Sequence, residues 1–173
     1  WYANRSATKP IDPALPGAFT STYMPAGWTK VEDDQVMTVV QSPDYATAQS
    51  VATNCADAGG ADCGPAMVRG AQFTLAYDPC PADTAAGTGA WWQRQYTGNA
   101  GYIGQEPITI AGHAATLFHS EWTTTTARPV TIEYYVAPII AGDNCREAAY
   151  MFSASSAAAY QAVLDDFLKG VQF

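Results

Sequence analysis

The sequence predicts an α+β fold built on an antiparallel sheet. Four strand-like segments follow one another between residues 108 and 153 with only turns between them. The best helical stretch, residues 156–169, stands apart after them. Strands in runs, with helices isolated from them, indicate antiparallel rather than parallel pairing.

Residues 1–17 hold Pro10, Pro13, Pro16 and Gly17 among polar residues, the composition of an extended or disordered linker. A single folded domain is therefore expected over residues 18–173. Ala18–Tyr23 reads as a short strand and Pro25-Ala26-Gly27-Trp28 as a turn. Val36–Gln41 is rich in β-branched residues and stops at Ser42-Pro43, where a strand would end. Ser42-Pro43-Asp44 is a helix start signal, so Tyr45–Val51 is expected to be a short helix. Met67–Arg69 and Gln72–Tyr77 are strand-like on either side of Gly70. Asp83–Tyr96 is expected to be helical, with Trp92 and Tyr96 on one face, although Gly87 and Gly89 oppose it.

In the C-terminal half the strands are Ile108–Ile110, Ala114–Trp122, Val130–Ala137 and Arg146–Ser153, with turns at Gly112 and Thr123–Arg128. Val130, Ile132, Tyr134 and Val136 alternate, as in a half-buried strand. In Ser156–Lys169, together with Val171, the residues Tyr160, Val163, Leu164, Phe167 and Val171 form one stripe. Ser155 or Ser156 can cap its start and Gly170 can close its end.

Composition excludes several functions. Of 173 residues, 48% are hydrophobic, enough for one core, and only 14% are charged. The net charge is -8, with eight scattered basic residues. Phosphate binding needs clustered Lys and Arg, so a nucleic-acid partner is excluded, as is electrostatic attraction to an anionic membrane. No stretch reaches the length of a membrane span. The chain begins abruptly at Trp1-Tyr2-Ala3-Asn4-Arg5; aromatic residues followed by Arg suit a position beside an upstream anchor, and also occur by chance. Membrane association is expected only through such an anchor.

The four cysteines, Cys55, Cys63, Cys80 and Cys145, contain no C-x-x-C, which disfavours a zinc ribbon or a thioredoxin-type site. An even number in loop-rich sequence suits an oxidising compartment and a secreted or extracytoplasmic protein. Three connectivities are open. Loop closure favours Cys55 with Cys63, around a small flexible loop, and Cys80 with Cys145 as a long-range staple.

Catalytic signatures are missing. Ser6-Ala7-Thr8-Lys9 matches the S-x-x-K of serine acylases, but lies in the linker, where no nucleophile could be held in place. G-x-S-x-G, the P-loop, G-x-G-x-x-G and H-E-x-x-H are absent. His113 and His119 would share a face of an unbroken strand. His119 with Glu121 could form an acid–base pair or part of a metal site, yet no nucleophile accompanies them, and a solvent-facing strand histidine is the plainer reading. The adjacent carboxylates Glu32-Asp33-Asp34 and Asp165-Asp166 lack calcium-loop spacing and read as a solvated turn and a solvated helix face. No catalytic residue, metal site or cofactor is expected.

Trp91, Trp92, Tyr96 and Tyr102 form the densest aromatic cluster outside the strands. Core packing is its leading reading, with Trp92 and Tyr96 inward. Trp91 would then point sideways and is the best candidate contact residue, with Tyr102 and His119 as further binding candidates.

The segment Tyr23-Met24-Pro25-Ala26-Gly27-Trp28 resembles the opening P-x-G-W of the Mog1/PsbP-like group. Ile110-Ala111-Gly112-His113-Ala114-Ala115 resembles its mid-chain Gly-x-x-A strand opening, and Ile132-Glu133-Tyr134-Tyr135-Val136 its tyrosine-rich strand. Tyr150-Met151-Phe152-Ser153 and Phe167 to Phe173 are similar to its ending. The resemblance runs through residues 19–173, most firmly 108–173. It implies an antiparallel sheet flanked by helices on both faces, an α/β/α sandwich. The cysteines and the loop from Cys55 to Gly64 depart from the plain pattern and look like secreted, lipoprotein-type members from high-GC Gram-positive bacteria. No functional residue carries over from that group.

These readings converge on a non-enzymatic extracytoplasmic binding domain: a sensor, adaptor or assembly factor of the cell envelope with an envelope protein as partner. A carrier of a lipid or small apolar ligand between sheet and helix is the alternative, and an envelope hydrolase the third. A carrier should hold a cavity of several hundred Å³, on the order of a small-molecule pocket. An adaptor should expose an aromatic patch. In a hydrolase, His119 should face a nucleophile.

Overall fold

A computed structural model describes residues 20–21, 24–33, 36–51, 64–78, 80–141 and 144–172. The expected linker, with Ser6 to Lys9, and both Cys55 and Cys63 lie outside these residues, and so does their pairing.

The chain runs β1 (Thr20–Ser21), β2 (Thr29–Asp33), β3 (Met37–Gln41), β4 (Ala46–Gln49), β5 (Pro65–Arg69), β6 (Ala71–Asp78), α1 (Ala85–Thr97), β7 (Tyr102–Ile110), β8 (His113–Thr123), β9 (Thr131–Ala141), β10 (Asn144–Ser153), a 3-10 turn, α2 (Ala157–Gly170) and β11 (Val171–Gln172). Seven strands form one antiparallel sheet in the order β2-β3-β6-β10-β9-β8-β7. The pairs β4–β5 and β1–β11 stand outside it. The four expected C-terminal strands are present as a meander, because each connection is short enough for direct antiparallel return. Ala111 and Gly112 both have positive φ, 49° and 82°, the twist a two-residue hairpin between β7 and β8 requires.

Alternation along the strands sorts side chains onto two faces. On one, Phe73 and Leu75 of β6 and Ala148, Tyr150 and Phe152 of β10 pack under Leu164 and Phe167 of α2. The turn at Pro25–Trp28, closed by the Trp28 N–H donating to the Pro25 carbonyl at 3.2 Å, delivers the Trp28 ring edge-on to Phe167 at 5.3 Å. On the other face Phe118, Val136 and Ala149 pack with Trp92 and Tyr96 of α1. The Tyr96 hydroxyl donates to the buried Glu147 carboxylate at 2.8 Å. The Cys80–Cys145 disulfide, as expected, ties the approach to α1 to β10 across 65 residues.

The expected helix-flanked α/β/α sandwich is not what forms. Among the described residues there are eleven strands and two α-helices, so the protein is strand-dominated, and each sheet face carries a single helix rather than a helical layer. The reason is visible at Tyr45–Val51, where a helix was expected. The Ser42 hydroxyl accepts the Ala71 N–H at 2.9 Å and donates to Asp44 at 2.8 Å, and Ala46–Gln49 then pair with β5 as strand β4. Long-range pairing overrides the local helix start signal. Gly70, at φ +84°, makes this possible: a Cβ there would meet the Tyr45 backbone at 2.6 Å.

Smaller corrections follow the same logic. Glu32 and Asp33 belong to edge strand β2 rather than a turn, and its exposed charges guard that edge against further pairing. Strand β7 begins at Tyr102, six residues before the expected Ile108. Strand β9, read as half-buried, is covered on both faces over Val136–Ile139 because it is central in the sheet. Helix α2 has no serine side-chain cap. Asp165 is half-buried rather than on a wholly solvated face, and accepts from Gln161 at 3.4 Å.

Candidate functional site

Residues opposite one another in an antiparallel sheet stand side by side on the same face. One such row runs Phe73, Tyr150, Tyr135, His119, Gly104 across β6, β10, β9, β8 and β7. Tyr150 and Tyr135 stack at 4.8 Å between centroids, and His119 stacks on Tyr135 at 4.1 Å with only 6° between planes. At Gly104 the row of rings stops. A Cβ there would meet nothing within 4 Å. Beside it lies an open groove of about 230 Å³, lined by Gly104, Gln105, Glu106, Leu117, His119 and Tyr135.

His119 is half-buried, and its Nε2 contacts Glu133 Oε2 at 2.5 Å. The expected partner, Glu121, instead stands directly across the β8–β9 ladder from Glu133. Burial holds the Tyr135 hydroxyl above its ordinary pKa, and the carboxylates of Glu133, Asp165 and Glu106 push the same way. The Tyr150 phenol is raised further, chiefly by burial, with Asp165, Tyr135 and Glu106 adding to it. Its hydroxyl has no hydrogen-bond partner although the residue is only 1% exposed. Gln161 acts in the opposite direction, without a hydrogen bond of normal geometry. Both phenols therefore remain neutral donors at physiological pH, under a rim of carboxylates.

The other predicted site residues lie elsewhere. Trp91 is 41% exposed on α1, pointing away from the core that holds Trp92 and Tyr96. Tyr102 is half-buried beside that second core, and its hydroxyl donates to Gln105 at 3.2 Å. Trp91 thus stands apart from His119, whereas Tyr102, packed against the opposite core, reaches through its hydroxyl to Gln105, which lines the His119 groove. A second groove, of about 160 Å³, lies between Trp92, Gln93 and the strands beneath α1. Both grooves are smaller than the several hundred Å³ expected of an apolar carrier, which is on the order of a small-molecule pocket. His119 faces the Glu133 carboxylate. Among the described residues no group of three or more His, Cys, Asp or Glu side chains could hold a metal ion. No helix there is long and apolar enough to cross a membrane.

Sequence reasoning found His119 but missed Glu133, Tyr135, Tyr150, Glu106 and Gly104. Period-two alternation in Glu133/Tyr135 and His119/Glu121 was legible, but which residues meet is decided by strand register.

Fold and site together define a strand-dominated antiparallel domain with an aromatic, acid-rimmed groove at one edge. No family model matches the chain, and no curated protein matches it. Solved structures do. LpqN of Mycobacterium tuberculosis, a protein described as involved in cell envelope biogenesis, superposes with a TM-score of 0.54 at 12% identity, over 95% of this chain and 88% of its own. A Pseudomonas aeruginosa protein of unknown function, PA94, matches at TM-score 0.48 and 12% identity, over 86% and 92%. At such identity the LpqN match establishes likeness of fold.

Proposed function

We propose that this chain is a non-enzymatic, extracytoplasmic binding domain of a bacterial cell envelope, a sensor, adaptor or assembly factor, and that its binding site is the groove beside His119. The observation that carries the reading is the pairing of His119 with Glu133 inside an aromatic, acid-rimmed groove. The Glu133 carboxylate fixes the orientation of the His119 ring beside the groove. The fold likeness to LpqN and the Cys80–Cys145 disulfide support an envelope setting. Attachment through a lipid or anchor upstream of Trp1 belongs to the same proposal.

A fragment library titrated into the ¹⁵N-labelled domain tests it. Shift changes should cluster at Gly104, Glu106, His119 and Tyr135, and ester, phosphate and peptide substrates should not turn over. Turnover that disappears in His119→Ala would overturn the non-enzyme reading, and perturbations confined to other surfaces would overturn the site.

A further inference from the structure

We propose that the groove takes a planar cation, a guanidinium group, stacked on the outer face of the His119 ring in the space that Gly104 leaves open. This rests on the binding reading above and adds the chemistry of the ligand.

The shape argument comes from the row. Tyr135 is covered by Tyr150 on one side and by His119 on the other, at 4.8 and 4.1 Å. His119 has Tyr135 on one face only. Its neighbour across the ladder toward the sheet edge is Gly104, and the groove occupies the place a further ring would take. A flat group continues the stack at that spacing. A tetrahedral or spherical one does not.

Charge selects among flat groups. Glu106 lies two residues from Gly104 on the same side of β7 and lines the groove. Glu121 stands on that side too, across the ladder from Glu133, which His119 engages. Asp165, reaching over from α2, acts on both Tyr135 and Tyr150. An anion is repelled by this rim, and a neutral ring leaves its charge unmatched. Guanidinium stacks on aromatic faces and presents its donors in a plane that matches carboxylates.

The guanidinium can belong to a free small molecule or to an arginine side chain of an extended segment laid along β7, an edge strand of the sheet. Four probes separate these cases: N-acetyl-arginine methylamide, the neutral N-acetyl-citrulline methylamide, tetramethylammonium, and a capped pentapeptide with one central arginine. The arginine amide is expected to shift Gly104 and His119 saturably. Citrulline should bind at least about tenfold more weakly, the cost of losing charge-assisted hydrogen bonds, and tetramethylammonium should likewise be weaker. Gly104→Tyr, which fills the slot, should abolish binding, whereas Gly104→Ala should retain it. A pentapeptide that binds more tightly and also shifts the amides of residues 105–109 identifies a peptide source; equal affinity identifies a small molecule. Citrulline binding as tightly as arginine, or Gly104→Tyr binding unchanged, overturns the proposal. If guanidinium probes fail where neutral fragments perturb the groove, the cation assignment falls and the binding site stands. If nothing perturbs the groove, both fall.

Discussion

Phe73 and Phe167 stack face to face, with centroids 4.6 Å apart and planes within 9°, and join α2 to the middle of the sheet. Both are fully buried, and Trp28 closes over Phe167 from the side. Such a contact combines transfer energy with close packing, so its loss leaves a cavity that the rigid sheet cannot collapse into.

Truncating Phe167→Ala should therefore cost about 3–5 kcal/mol of unfolding free energy. Asp166 sits on the solvated side of the same helix, paired with Lys169 at 3.3 Å, and Asp166→Ala should change stability by less than about 0.5 kcal/mol. Urea denaturation with disulfides intact measures both. Equal stability of the two variants would mean that α2 is not docked through Phe167.

Tyr150→Phe should raise stability by about 1 kcal/mol, because the hydroxyl it deletes is buried without a partner and an unmade bond there is costly. The ring, its stacking and the surrounding volume are kept. A loss of stability in the same denaturation experiment would show that the hydroxyl is bonded in the native state. A gain would mark it as a group held at a cost in stability, as functional positions often are.

Removing the disulfide with Cys80→Ser/Cys145→Ser should cost about 2–5 kcal/mol, since the bond closes a long loop in the unfolded chain. Non-reducing peptide mapping should recover Cys80 joined to Cys145, and Cys55 joined to Cys63 is expected with it. A Cys55–Cys80 peptide would contradict the structure.

Asp44 gives the domain a defined acid response. The Tyr160 hydroxyl, foremost, and Ser42 hold its carboxyl below the ordinary value by hydrogen bonding to the charged form. Unfolding releases those bonds and restores a pKa of about 3.9. The folded value is the lower one, so this stabilisation is fully present above that pH and is lost as pH falls through the lowered folded value. The stability difference between the wild type and Asp44→Asn should be flat from neutral pH down to about pH 5 and shrink below about pH 4. Chemical denaturation across pH 2–7 reads it, and a difference that grows on acidification would reverse the assignment.

Sequence alone determined the meander of strands from residue 113 to 153 and the two helices, because alternation and the 3.6-residue stripe are local properties of the chain. It also pointed to the Cys80–Cys145 staple and to Trp92 and Tyr96 as core. It misread Tyr45–Val51, where β4 pairs with a strand that follows an intervening segment, and so overestimated the helical layers. Tertiary structure alone decided the site. His119, Tyr135 and Tyr150 form a stack, and Gly104 a gap, only because β7, β8, β9 and β10 align in one register. A slip of one residue in any pair would send the ring to the opposite face. Register is set by the hairpin turns and by the burial of both sheet faces together, and neither is a property of any single segment.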